Sequence, residues 1–243
     1  MSDTTMEISF LGGASEIGAS CILLQTGHQR ILIDAGIRFT TDNPLPELDQ
    51  LSSKPLDAVL VTHAHSDHTG SLPLIHEAFP STPVFMTSPT RDLVGILQRD
   101  ALKLMNHSER EFEIPLYSEK QVNGMLDQTV PVRHGQRFPL GDLTVTFLPA
   151  GHILGASMIH LETPGGAILF TGDFSVSGQS TVPNLKRSGL HVDCIVTEAT
   201  YGARLHSDRK LAEKRMITQI GAVLESGGKV LIPAFAIGRA QEV

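Results

Sequence analysis

One six-residue run, His63-Ala64-His65-Ser66-Asp67-His68, constrains this chain more than any other feature. It follows directly on Asp57-Ala58-Val59-Leu60-Val61-Thr62, an apolar run of strand length. Runs of that kind belong to strands covered on both faces. Four metal-ligating side chains in six residues, spaced i, i+2, i+4 and i+5, suit a loop wrapped around metal. In an extended segment His63, His65 and Asp67 share one side, and a turn at Asp67-His68 lets the last two face a second ion. Imidazole with carboxylate is a donor set for zinc, with manganese or iron as alternatives. A single loop histidine reads best as solvated; four ligating residues at one strand end do not.

Two downstream loops repeat the arrangement. Pro149-Ala150-Gly151-His152-Ile153-Leu154-Gly155-Ala156 puts a histidine on a Gly-flanked loop behind the alternating strand Leu143-Thr144-Val145-Thr146-Phe147. Phe170-Thr171-Gly172-Asp173-Phe174-Ser175 puts a carboxylate behind the apolar run Ala167-Ile168-Leu169-Phe170. Either loop alone is ordinary turn chemistry. Their weight comes from recurring at strand ends, where a sandwich brings them to one edge. Asp34, at the end of Arg30-Ile31-Leu32-Ile33, is better placed to orient ligands than to bind metal.

The remaining pattern predicts an α/β fold, an αββα sandwich of two packed mixed β-sheets with helices on the outer faces. Ile8–Leu11 reads as a strand, and Cys21–Gln25 pairs with Arg30–Asp34 across a Gly turn. Cys194–Thr197 and Lys229–Pro233 read as further strands. Helices open at Ser88-Pro89, at the capping-box sequence Ser118-Glu119-Lys120-Gln121, and at Ser207-Asp208. The last runs to Ser226 with Ile217, Ile220 and Leu224 on one face. Another helix starts at Gly238 without a stop signal by Val243, so the sequence reads as a fragment cut in mid-element.

Composition narrows the class. Two cysteines, Cys21 and Cys194, lie far apart without CxxC spacing, which predicts buried thiols in a reducing cytoplasm. The start, Met1-Ser2-Asp3-Thr4-Thr5-Met6-Glu7, is acidic and unlike a secretion signal, and nothing reads as membrane-spanning. A formal net charge of −7 argues against a broad basic face, but two divalent cations would bring it to −3 and make the site itself electropositive. The Gly12–Gly18 loop lacks dinucleotide spacing and is expected to pack near the metal edge. His28, His107, His191 and His206 are expected to be solvated; His76, His134 and His160 are expected to be satisfied structural histidines.

The HxHxDH segment, the Gly151-His152 loop and the Thr171-Gly172-Asp173 loop resemble the metallo-β-lactamase superfamily over nearly the whole chain. The resemblance implies one zinc held by His63, His65 and His152, a second held by Asp67 and His68, and Asp173 bridging both. Gly172–Ser175, Thr197-Glu198-Ala199-Thr200-Tyr201-Gly202 and Gly227–Glu242 are similar to the β-CASP nucleases, the group that contains ribonuclease J and the endonuclease of pre-mRNA 3′-end processing. Glu198 matches that group's first acidic motif, beside the metals.

These likenesses imply a zinc-dependent ribonuclease that uses a metal-bound hydroxide, with Asp67, Asp173 and Glu198 as its catalytic carboxylates. Residues 1–226 are then the metallo-β-lactamase domain without its C-terminal return segment, and 227–243 the start of a β-CASP domain. In the family a helical insertion and two later histidine motifs follow, one supplying a ligand to the second zinc. This sequence contains neither, so the second site is expected to be incomplete and the chain alone weak or inactive. RNA is the expected partner, DNA the alternative within the same group, and a homodimer or a subunit of a processing complex the expected assembly. Two other readings stay open: a hydrolase of thioesters, lactones or cyclic phosphodiesters, and a non-catalytic RNA-binding scaffold.

Overall fold

The computed structural model describes residues 5–39, 42–51, 54–107, 116–185 and 189–243. They fall into two units, Met1–Glu198 and Ala199–Val243. In the larger unit the apolar runs become two sheets. The first contains β1 (Met6–Gly12), β2 (Cys21–Thr26), β3 (Gln29–Ile33), β4 (Ala58–Leu60), β5 (Val84–Thr87) and β6 (Thr129–Val132), in that spatial order. Its first two pairings are antiparallel and the next three parallel. The second contains β7 (Arg137–Leu140), β8 (Leu143–Pro149), β9 (Ser157–Thr163), β10 (Gly166–Phe170) and β11 (Cys194–Val196), ordered β11-β10-β9-β8-β7. Only β10 and β11 run parallel there, so both sheets are mixed, as the patterning predicts.

The core lies between the sheets. Leu24, Ile31, Ile33, Ala58 and Leu60 from the first meet Val145, Phe147, Ile159, Leu161, Ile168 and Phe170 from the second, all essentially inaccessible to water. Each large side chain so buried contributes about 1.5–3 kcal/mol. Helices α1 (Ser66–Thr69), α2 (Leu72–Ala78), α3 (Ser88–His107) and α4 (Glu119–Asp127) belong with the first sheet: α3 lies on β5 and β6, and α4 packs on α2 and α3. The expected capping box forms at Ser118, whose backbone N–H donates to Gln121 Oε1 at 2.6 Å.

Sequence and structure part company at identifiable places. β6 and β7 carry Pro131 and Pro139, which mask them as strands; each is an edge strand, where a missing N–H is tolerated. The expected strand 57–62 is shorter as a ladder, because the Thr62 N–H leaves it for Asp34 Oδ1 at 2.7 Å. In the smaller unit α5 (Arg209–Glu225) starts where expected, with Asp208 accepting from the Leu211 N–H at 2.8 Å. Its expected apolar face is not covered: Ile217 is 67% and Leu224 57% exposed. The 229–233 segment is not a strand, for that unit holds none to pair with it; a short helix α6 (Arg239–Glu242) closes it.

Candidate metal centre

Five strands deliver the site residues, all from their C-terminal ends: β3 gives Asp34, β4 the His63–His68 run, β8 His152, β10 Asp173 and β11 Glu198. The local sequence permits the approach. Gly36 lies so close to the metal loop that a Cβ there would stand 1.7 Å from the Asp67 carbonyl oxygen. Gly172 takes φ +50 against Thr62. Asp34 itself adopts φ 60, a conformation that aspartate tolerates better than most residues. Residues 13–17 of the Gly12–Gly18 loop are exposed rather than packed at the site; only the chain just beyond the loop reaches it, the Ser20 N–H donating to the Asp67 carbonyl at 2.8 Å.

His63, His65, His152 and Asp173 bring one donor atom each within 4.8 Å of all the others. His152 Nε2 is 3.1 Å from His65 Nδ1 and 3.6 Å from Asp173 Oδ2, while His63 Nε2 is 3.9 Å from that oxygen. Donors held ~2.0–2.1 Å from a single tetrahedral zinc stand roughly 3.3 Å from one another, so the spacing fits one ion. The other Asp173 oxygen, Oδ1, lies 3.4 Å from His68 Nε2, which is 4.0 Å from Asp67 Oδ2. Asp67 and His68 thus flank the far side of Asp173. His63 Nε2 is buried with no hydrogen-bond partner among the described residues, a costly state that a cation relieves.

Behind the donors, Asp34 is buried and ties two of them together. Its Oδ2 accepts from His68 Nδ1 and from the Thr62 hydroxyl, each at 2.7 Å. Thr62 Oγ1 in turn lies 3.1 Å from His63 Nδ1. The His152 loop has its own clamp: Gln179 Nε2 donates to the carbonyls of Gly151 at 2.8 Å and of His152 at 2.7 Å. Thr62 and Gln179 escape sequence reasoning. The only sign of Thr62 is a hydroxyl ending an apolar strand, and nothing in the motifs points to Gln179.

Burial, then the neighbouring imidazoles, hold His63 well below the ordinary histidine range. Burial also brings His152 down to about 4, against the pull of Asp173. Burial works the same way on His68, but the carboxylates of Asp34 and Asp173 override it and hold its proton well above the usual range. Asp173 is itself lowered; burial opposes this, and the His68 hydrogen bond and the surrounding imidazoles outweigh burial.

The other expected residues are easily placed. Glu198 Oε1 accepts from the Phe174 N–H at 3.1 Å, which anchors it to the residue after Asp173. His134 Nε2 meets Ser157 Oγ at 2.9 Å and His160 Nε2 meets the His191 carbonyl at 3.1 Å, so both are satisfied. His76 is not: its buried Nδ1 has no partner among the described residues. His28 and His206 are exposed, and so is His191, which pairs with Asp193 at 2.9 Å; the His107 side chain lies outside the described residues. Both cysteines are free thiols, Cys21 buried and Cys194 half-buried.

Residues 15–214 match the model of the Metallo-beta-lactamase superfamily. The transcription termination factor FttA of Methanocaldococcus jannaschii is 35% identical to this chain, over 99% of it and 39% of that protein. Cleavage and polyadenylation specificity factor subunit 3 of Dictyostelium discoideum is also 35% identical, over 99% of this chain and 32% of its own length. Endoribonuclease YSH1 of Gibberella zeae is 33% identical, over 99% and 30% respectively. The chain therefore spans between 30% and 39% of these three relatives. A solved protein of unknown function from Enterococcus faecalis V583 shares the fold, with a TM-score of 0.60 at 19% identity, over 90% of this chain and 57% of that one.

Proposed function

We propose that this chain, which belongs to the metallo-β-lactamase superfamily, is the metal-binding part of a β-CASP ribonuclease that hydrolyses RNA phosphodiester bonds. The observation that carries the reading is the posture of Asp173: Oδ2 faces His63 and His152, Oδ1 faces His68, and the two oxygens so divide the donors into two sets. That division supports two divalent ions, His63, His65 and His152 serving one, Asp67 and His68 the other, with Asp173 between them. Zinc suits the donor set, with manganese or iron as alternatives.

A pair of bound divalent ions acidifies water and neutralises charge on phosphoryl oxygens. The protein's own part is orientation. Asp34 points the His68 ring, Gln179 holds the backbone of His152, and Glu198 holds the Phe174 N–H, one residue beyond Asp173. RNA is favoured over DNA by the relatives: one is named an endoribonuclease and another a cleavage and polyadenylation factor. In this reading residues 1–226 form the metallo-β-lactamase part and 227–243 lead into the β-CASP part. The protein works in the cytoplasm as a dimer or a processing-complex subunit; none of its described helices is long and apolar enough to cross a membrane.

The test combines metal analysis with cleavage of end-labelled RNA, DNA and generic thioester and lactone substrates, with and without chelator. Zinc that co-purifies, and RNA cleavage that chelator abolishes, are expected. His65→Ala or Asp173→Ala should abolish hydrolysis, and either variant cutting RNA at full rate in metal-stripped buffer would overturn the reading. Cleavage of DNA or esters in preference to RNA would move the chain to another branch of the superfamily.

A further inference from the structure

Protons can be followed through the buried cluster behind the donors. An ionised carboxylate only accepts hydrogen bonds. Asp34 is 2% exposed, and its Oδ1 is occupied by the Thr62 N–H at 2.7 Å. The Thr62 hydroxyl lies 2.7 Å from Oδ2, and the carboxylate is the strongest acceptor within its reach, so the hydroxyl hydrogen goes there. Thr62 Oγ1 then has only lone pairs left for His63 Nδ1, 3.1 Å away. The hydrogen in that contact must come from His63, whose Nδ1–H donates. A neutral imidazole with its proton on Nδ1 carries its lone pair on Nε2. That is the buried atom with no partner, 3.9 Å from Asp173 Oδ2. The opposite tautomer would set two lone pairs against each other, or turn the hydroxyl from a charged acceptor to a neutral one and leave Asp34 Oδ2 with the His68 N–H alone.

Thr62 cannot turn aside easily. A Cβ on Gly172 would stand 2.7 Å from Thr62 Cβ, and the Thr62 carbonyl accepts the Ser157 N–H at 2.8 Å, so the residue is wedged between the β9 and β10 sides of the site. His68 is oriented by the same carboxylate directly, its Nδ1–H donating to Asp34 Oδ2 at 2.7 Å while its Nε2 faces Asp173.

We propose that the Thr62 hydroxyl is a positioning group that sets which nitrogen of His63 is free for metal. Asp34, through Thr62 and through His68, thereby aligns imidazoles on both sides of Asp173 from a single carboxylate. The tautomer assignment stands on hydrogen-bond geometry alone; its consequence for metal affinity rests on the functional reading above.

The experiment labels the histidines with nitrogen-15 and records two-bond nitrogen–proton correlations on metal-free protein, for wild type, Thr62→Val and Thr62→Ser. Valine keeps the shape and removes the hydroxyl; serine keeps the hydroxyl and removes the methyl. Wild type and T62S should show His63 protonated at Nδ1 and unprotonated at Nε2, and T62V a mixed or reversed pattern. Zinc affinity, measured by competition with a chromophoric chelator, should fall about 10–100-fold in T62V, the usual loss when a group that orients a ligand is removed. T62S should stay near wild type. The proposal is overturned if T62V keeps the wild-type tautomer, if wild type carries its proton on Nε2, or if T62S loses as much affinity as T62V, which would make the effect one of packing. Wild-type protein that binds no zinc would sink the functional reading instead, and the tautomer comparison would still decide this one.

Discussion

His63 and His68 sit with ring centres 4.1 Å apart and hold protons with opposite ease, because only His68 has carboxylates on both sides. The contrast has a consequence for the metal-free protein. His152 takes up its proton near pH 4 when folded, against an ordinary value of 6.5. His63 is displaced in the same direction. Between those limits the unfolded chain binds more protons, so stability falls as pH falls. His68 acts with the opposite sign: its raised value stabilises the fold below pH 6.5, and that contribution is lost as pH rises through its folded value. In chelator, His152→Gln should therefore flatten the loss of thermal stability between pH 6.5 and 4, and His68→Gln should lower stability by an even amount across that range without changing its slope. Scanning fluorimetry across that range checks both, and parallel curves for H152Q and wild type would refute the assignment. At this scale the sequence is most legible. Six of the site residues announce themselves as donors, since chemistry restricts which side chains bind metal. Thr62 and Gln179 do not, since hydroxyls and amides are common and their roles depend on neighbours remote in sequence.

Elements matter here mainly through how they end. The Gly36 approach to Asp67 is backbone against backbone, with no flexible side chain to yield. Gly36→Ala is expected to cost about 1–3 kcal/mol or more and to disrupt zinc binding together with it. Ser118→Ala, which removes the capping hydroxyl of α4 far from the donors, should cost about 1 kcal/mol and leave zinc binding unchanged. Denaturant titrations beside chelator competition separate the two; a Gly36→Ala protein with normal affinity would contradict the packing described. Hydrophobic alternation and capping signals made β2, β3, β8, α4 and α5 readable in the chain. The proline-bearing β6 and β7 were hidden, because whether proline is tolerated depends on edge position, a property of the assembled sheet. For β4, a side chain rather than a periodicity ends the ladder, and Asp34 lies 28 residues before Thr62.

Across the whole molecule, stability and chemistry occupy different places. The interior between the sheets is closed by aliphatic and aromatic side chains, while α5 in the smaller unit buries no residue fully. Hydrogen exchange should be slowest in β2, β3, β8 and β9 and fastest in α5; protection of α5 equal to that of β9 would refute this. Adding zinc to the metal-free protein should raise its melting temperature, since an ion that binds only the folded state stabilises by mass action. The general architecture could be anticipated because apolar runs and donor loops alternate along the chain. The boundary at Glu198 could not, for no change of composition marks it. The shared polarity of the five site-bearing strands carries one more implication. With every functional group issuing from the same rim, the loops there can lengthen, shorten or be exchanged while the interior below stays untouched. Transplanting 174–185 from a relative, with the Gln179 clamp and the buried Val182 kept, would be expected to alter what the rim admits and leave the scaffold's melting behaviour nearly as it was.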